Sequence, residues 1–163
     1  EVFYVVEVRA RNRPSLVTDV GVRLPAHLTA TGRAMLAELS AANVRAIHPS
    51  RDSFVRRDPA LPAWTPARLR SELQQTRQRG HAVEEGDITA GLSSVAFAVR
   101  DHLGLPAAAL GLTFTSAEVG PEQRARMLQA LGLAARRLST RLHAPVASGI
   151  PDATSPQVST RMP

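Results

Sequence analysis

Leu24-Pro25-Ala26-His27-Leu28-Thr29-Ala30-Thr31-Gly32-Arg33-Ala34-Met35-Leu36-Ala37 is the stretch whose reading decides the fold. An extended segment ending in proline passes into small and hydroxyl residues, then directly into an apolar-periodic run. The spacing predicts a helix from Thr29 or Ala30 to Leu39, with Ala34, Met35, Leu36 and Ala37 making its apolar contacts. The first turn of a helix leaves N–H groups without intrahelical acceptors, and the helix dipole favours negative charge beside them. Thr29, Ala30 and Thr31 therefore form either an anion site or an ordinary helix start capped by Thr29. The residues alone admit both.

A second block follows some fifty residues later: Arg79-Gly80-His81-Ala82-Val83-Glu84-Glu85-Gly86-Asp87, then Ala90-Gly91-Leu92-Ser93-Ser94-Val95-Ala96-Phe97-Ala98-Val99-Arg100-Asp101. Together the two blocks resemble the C-terminal effector-binding domain of the IclR family of bacterial transcription regulators. The family patterns LPxHxxxxGKAxLA and RGYxxDxxExxxGxxCxAxPVxD line the two walls of its ligand pocket. Here Arg33 stands for the usual Lys, His81 for the usual Tyr, and Ser94 at a frequent Cys or Ser position. The resemblance covers about residues 1–143 and implies a GAF-like α+β fold, a mainly antiparallel twisted sheet with helices packed on its faces. It also implies an N-terminal winged helix-turn-helix, which this sequence does not contain. A start without Met, already in strand-forming residues, is read as that of a fragment.

Composition narrows the class. The length of 163 residues fits one domain with a real core, and 44% hydrophobic residues is ordinary for a globular chain. No apolar run reaches the roughly 18 residues that span a bilayer, and the first residues carry no basic signal-peptide region. Zero cysteines exclude disulfides, thiolate catalysis and Cys-based zinc sites, including the cysteine-dependent reductase chemistry of some GAF-like domains. The net charge of +6 points toward nucleic acid, but all twenty basic residues are scattered arginines, and only one Trp and one Tyr are available for base stacking. Direct nucleic-acid contact is therefore not expected of this chain, and a cytoplasmic location is.

Along the chain, Val2–Arg9 reads as a strand well inside a sheet, Asn12 and Pro14 as a turn, and Leu16–Val20 as a second strand ending in a bend at Gly21. Ser40 caps a short helix over Ala41–Ile47, stopped by Pro49. Residues 48–64 read as a surface connection. Thr65-Pro66 starts a helix that Gly80 ends. Strands follow at His81–Glu84, Leu92–Arg100 and Ala107–Thr115, the last two joined by a tight turn at residues 101–104. A final helix runs from Gly120-Pro121 to about His143 on a stripe of Ala125, Leu128, Leu131, Ala135, Leu138 and Leu142. Residues 144–163, rich in Pro, Ser and Thr without a period, read as a disordered tail.

The candidate ligand residues are Ala30, Thr31, Glu84, Ser94, Gly111 and Thr113. Ala30 and Thr31 would offer backbone N–H groups to a carboxylate. Glu84 matches an acidic pocket position of the family, and by residue type alone it is a solvated strand-end charge. Glu85 and Asp87 fit that solvated role better. Ser94 brings a hydroxyl into an apolar strand, and Gly111 and Thr113 share one face of the next strand. Where the family often has Ser, Gly111 opens space for a bulkier or less polar ligand. Small-residue sheet packing is the alternative for all three. His27 reads as a structural hydrogen-bonding residue.

No catalytic or metal-binding set is visible, and no cofactor is expected. The sequence lacks a Gly-x-Ser-x-Gly elbow, the five histidines show no HExxH spacing, and Glu84 and Glu85 point to opposite faces of a strand. The resemblance implies a sensor of a small organic acid, acting as a homodimer or tetramer and meeting DNA only through the N-terminal domain. A GAF-like enzyme and a dimerisation module without a pocket are the alternatives.

Overall fold

The computed structural model describes residues 1–9 and 20–143. Helix α1 spans Ala30–Glu38 behind the N-cap Thr29, whose extended backbone turns its hydroxyl onto the Gly32 N–H at 3.0 Å. Ser40 caps α2 (Ala41–Ile47) in the same way, through the Asn43 N–H at 3.1 Å. Helix α3 (Pro66–Arg79) begins on Thr65 and ends at Gly80, whose left-handed φ of 75° closes the last turn. These boundaries follow capping chemistry that is local, which is why the spacing alone placed them.

Strands β3 (Ala82–Glu85), β4 (Leu92–Arg100) and β5 (Pro106–Thr115) form an antiparallel sheet in chain order. The turn between β4 and β5 is held by Asp101 Oδ1, which accepts the N–H groups of Leu103 and Leu105 at 2.9 and 3.0 Å. Helix α1 lies on one sheet face, where Ala30 and Ala34 meet Ala82 and Ala96. Alanine on both sides permits this close approach of helix to sheet. Helix α4 (Pro121–Arg141) covers the other face through Leu131, Gly132 and Ala135, with the Phe97 ring against Gly132. The ends of its stripe, Ala125 and Leu142, are exposed, so only its middle forms core. A second core of Leu28, Leu36, Val44, Trp64, Leu69 and Leu73 joins α1, α2 and α3. The result is an α+β domain with helices on both sheet faces. Among the described residues no helix is long and apolar enough to cross a membrane.

One expectation fails. The Val-rich start pairs only as β1 (Val2–Phe3) with β2 (Arg23–Leu24), an element the sequence reading does not assign as a strand. Beyond it, Val5, Val6 and Val8 are 68%, 74% and 91% exposed, because strand propensity without a partner strand yields no ladder. Except for Val20, which sits in a turn, the strand expected at 16–20 lies outside the described residues, as do the Asn12–Pro14 turn and the tail at 144–163. Residues 48–64 are mostly exposed, as expected of a surface connection, but three of their side chains turn inward. His48 and Trp64 are buried there, and Phe54 packs against the same core. Few apolar residues without a period conceal a segment that folds back as a lid over His27.

His27 is 1% exposed and packs edge-on against His48, Phe54 and Trp64, at ring separations of 5.6, 5.0 and 5.8 Å. Burial lowers its pKa from 6.5 to about 4, more than the Val55 carbonyl on its Nε2 raises it. Burial also lowers that of His48. The unfolded chain therefore binds these protons at a pH where the native chain does not. The resulting loss of stability is absent above pH 6.5, grows as pH falls, and is complete below about 4, where His27 alone costs about 3 kcal/mol. Glu84 acts in the opposite sense, since its buried carboxyl is held above the ordinary range and is relieved by acid. Urea midpoints measured between pH 7 and 4 should fall, and His27→Gln should flatten the fall.

Candidate functional site

At the start of α1 the hydrogen-bond inventory of the first turn is short. The Gly32 N–H is taken by the Thr29 hydroxyl, and the Arg33 N–H by the Thr29 carbonyl at 3.0 Å. The N–H groups of Ala30 and Thr31 have no acceptor among the described residues. Thr29 is thus an ordinary cap, 2% exposed, and any anion-binding capacity rests with Ala30 and Thr31. The turn that aims them depends on Gly32. A Cβ at that position would stand 2.2 Å from the Ala26 carbonyl oxygen.

The sheet register builds the opposite wall. Glu84 pairs with Ser94 and Ser94 with Thr113, while Ala82, Ala96 and Gly111 form the next row. Period-two alternation turns both rows toward α1. The Ser94 and Thr113 hydroxyls lie 3.0 Å apart, and the Glu84 carboxylate accepts the Ile88 N–H at 3.1 Å and the Ser94 hydroxyl. The Tyr4 hydroxyl lies 3.3 Å from Thr31 Oγ1 and joins α1 to the same polar row. Glu84, Ser94 and Thr113 thus share one row, with Thr113 exposed at the β5 end, and Ala30 and Thr31 begin the helix packed on the same face.

Gly111 is the exception. Its missing side chain opens no room for a ligand, because the Thr31 methyl lies 2.9 Å from where a Cβ would stand. The glycine lets α1 approach β5, which removes the argument for a bulkier ligand.

Glu84 is 3% exposed, so the solvated reading fails. Burial raises its pKa, partly offset by the bonds from Ile88 and Ser94 and by the charge of Arg33. Burial also raises the pKa of Tyr4, offset by Thr31 and reinforced by Glu84. The Tyr4 phenol can donate to an anion.

Asp87 corrects a second reading. Its side chain is 11% exposed and forms an ion pair with Arg33, which is itself 3% exposed. Arg33 also donates to the carbonyls of His27 at 2.7 Å and Val83 at 2.8 Å, and its guanidinium lies 4.5 Å over the Trp64 ring. Arg68 adds a second contact, 3.8 Å from Asp87 and 4.0 Å from Trp64. The strand-end charge becomes buried because an arginine fifty-four positions earlier reaches it, which no local pattern displays. Glu85 does stay exposed, 3.6 Å from Arg124. His27 is structural, as read. Sequence reasoning passed over Tyr4, whose only signal is being the sole tyrosine of the chain. Among the described residues no three His, Asp or Glu side chains converge as a metal set.

Residues 1–140 match the family model described as "Bacterial transcriptional regulator IclR C-terminal". The "HTH-type transcriptional regulator XynR" of Escherichia coli K12 is 31% identical over 137 residues, covering 82% of this chain and 54% of that protein. The chain thus spans about half the length of that relative. The crystal structure of the Agobacterium tumefaciens repressor BlcR superposes with a TM-score of 0.64 at 28% identity, covering 78% of this chain and 51% of that one. The PobR inducer-binding domain from Acinetobacter, solved as a double mutant with 3-hydroxybenzoic acid, shares the fold with a TM-score of 0.66 at 24% identity, over 80% of this chain and 74% of that one. The matched family model and the 31%-identical relative place this chain in the IclR family of bacterial transcriptional regulators, with residues 1–140 as its C-terminal domain.

Proposed function

We propose that this domain senses a small organic acid for an IclR-type DNA-binding regulator, in the cytoplasm, as a homodimer or tetramer whose N-terminal domains meet the operator. The observation that carries this reading is the pair of unpartnered N–H groups at Ala30 and Thr31 beside a polar row of Tyr4, Glu84, Ser94 and Thr113. The carboxylate meets the two N–H groups, and the hydroxyls and Glu84 read the rest of the molecule. Regulation then requires that the acid bind two arrangements of the protein with different affinity.

The test is a thermal-shift screen with hydroxy, keto and aromatic carboxylates. A ligand at a hundred times its Kd adds about 2.7 kcal/mol of stability. Thr31→Pro removes one N–H at a first-turn position that tolerates proline, and it should abolish the shift. Thr31→Val keeps the N–H and should retain part of it, while the remote Arg57→Ala should retain all. No shift with any acid, or equal loss in all three variants, contradicts the reading.

A further inference from the structure

The opposite end of α1 borders a groove of about 540 Å³, separate from the polar row. Ala34 and Ala37 from α1 and Ala96 and Ala98 from β4 border it, the first three nearly fully buried and Ala98 half-buried.

The rim is polar and directional. Arg77 donates from Nε to the Ala37 carbonyl at 2.7 Å and from Nη2 to the Leu39 carbonyl at 3.2 Å. Arg100 donates from Nε and Nη2 to one oxygen of Glu38, at 2.8 and 2.7 Å. Each guanidinium is thereby fixed through two nitrogens, and its Nη1 has no acceptor among the described residues. Two guanidiniums against the single carboxylate of Glu38 leave the groove one positive charge. His81 at its edge has its pKa lowered, mainly by burial. In the same wall Thr76 is 4% exposed, and its hydroxyl has no hydrogen-bond partner. Buried hydroxyls are normally satisfied, so this wall lacks a group that would complete it.

We propose that this groove is a second small-molecule site, taking a monocarboxylate with a compact apolar body. The carboxylate bridges Nη1 of Arg77 and Arg100, and the body lies over the half-buried Ala98 methyl. A volume of this order suits a small organic ligand. Because α1 carries the candidate effector N–H groups at its other end, the two ligands share one helix and each biases its position against the sheet.

Benzoate is the probe and benzamide its uncharged counterpart, titrated into the 163-residue chain carrying ¹³C-labelled alanine methyls. Benzoate should shift the methyls of Ala34, Ala37, Ala96 and Ala98 saturably below about 10 mM, and benzamide should not. Arg100→Gln on the exposed rim should weaken benzoate about tenfold, the loss of one charge-assisted contact. Ala98→Leu should fill the groove and abolish the shifts, and its alanine spectrum reports whether the fold survives. No saturable shift, equal shifts from benzamide, or full binding to Arg100→Gln overturns the proposal. Perturbation confined to the Ala30 methyl at the start of α1 also overturns it, and assigns the carboxylate to that end of the helix instead.

Discussion

Asp87→Ala is expected to destabilise the domain by about 3–5 kcal/mol, the loss typical when one partner of a buried ion pair is removed. The magnitude follows from what remains. Arg33 is 3% exposed and cannot be deprotonated, so its charge stays buried with only two carbonyls and the Trp64 ring around it. The Arg68 contact is longer and that side chain is 36% exposed, so its loss adds little. Urea unfolding should show a lower midpoint at unchanged slope. The double variant Arg33→Met/Asp87→Leu should recover much of the loss, because it leaves no buried charge. A cost under about 1 kcal/mol for Asp87→Ala would mean that the carbonyl bonds alone suffice to hold Arg33.

Gly32→Ala is the second large effect, and its sign opposes helix propensity. Alanine favours a helix interior over glycine by about 1 kcal/mol. Here the new Cβ would stand 2.2 Å from the Ala26 oxygen and 2.4 Å from its Cα, both backbone atoms of the turn that feeds α1. Backbone cannot swing aside as a side-chain tip can. Either the Leu24–Thr29 turn or the first turn of α1 must move, at a cost of about 3 kcal/mol. Because that turn carries the Ala30 and Thr31 N–H groups, carboxylate binding should weaken along with stability. A variant that gains stability would show that the turn relaxes freely.

Much of this was legible before any coordinates. The caps at Thr29, Ser40 and Thr65, the stop at Gly80 and the β4–β5 hairpin are each written within a few residues, since a cap is a contact between near neighbours. The shared face of Gly111 and Thr113 was also legible from strand alternation, whereas Glu84 came in only through the family resemblance. Asp87, Tyr4 and the lid over His27 were not. Asp87 reads as solvated until Arg33 reaches it, Tyr4 matters only through Thr31 twenty-seven positions away, and residues 48–64 show no period because they pack as a loop. Gly111 misled in the other direction. A missing side chain reads as space, and the neighbour that fills it belongs to another element.

By itself the sequence determined the helix boundaries, the antiparallel hairpin, the family resemblance and the two N–H groups at the start of α1, all set by interactions within a turn or along one strand. Only the tertiary structure decided which charges are buried, whether a glycine makes room or permits contact, and that a groove borders the far end of α1. Burial and close approach depend on residues brought together from distant positions, and local pattern carries no record of them.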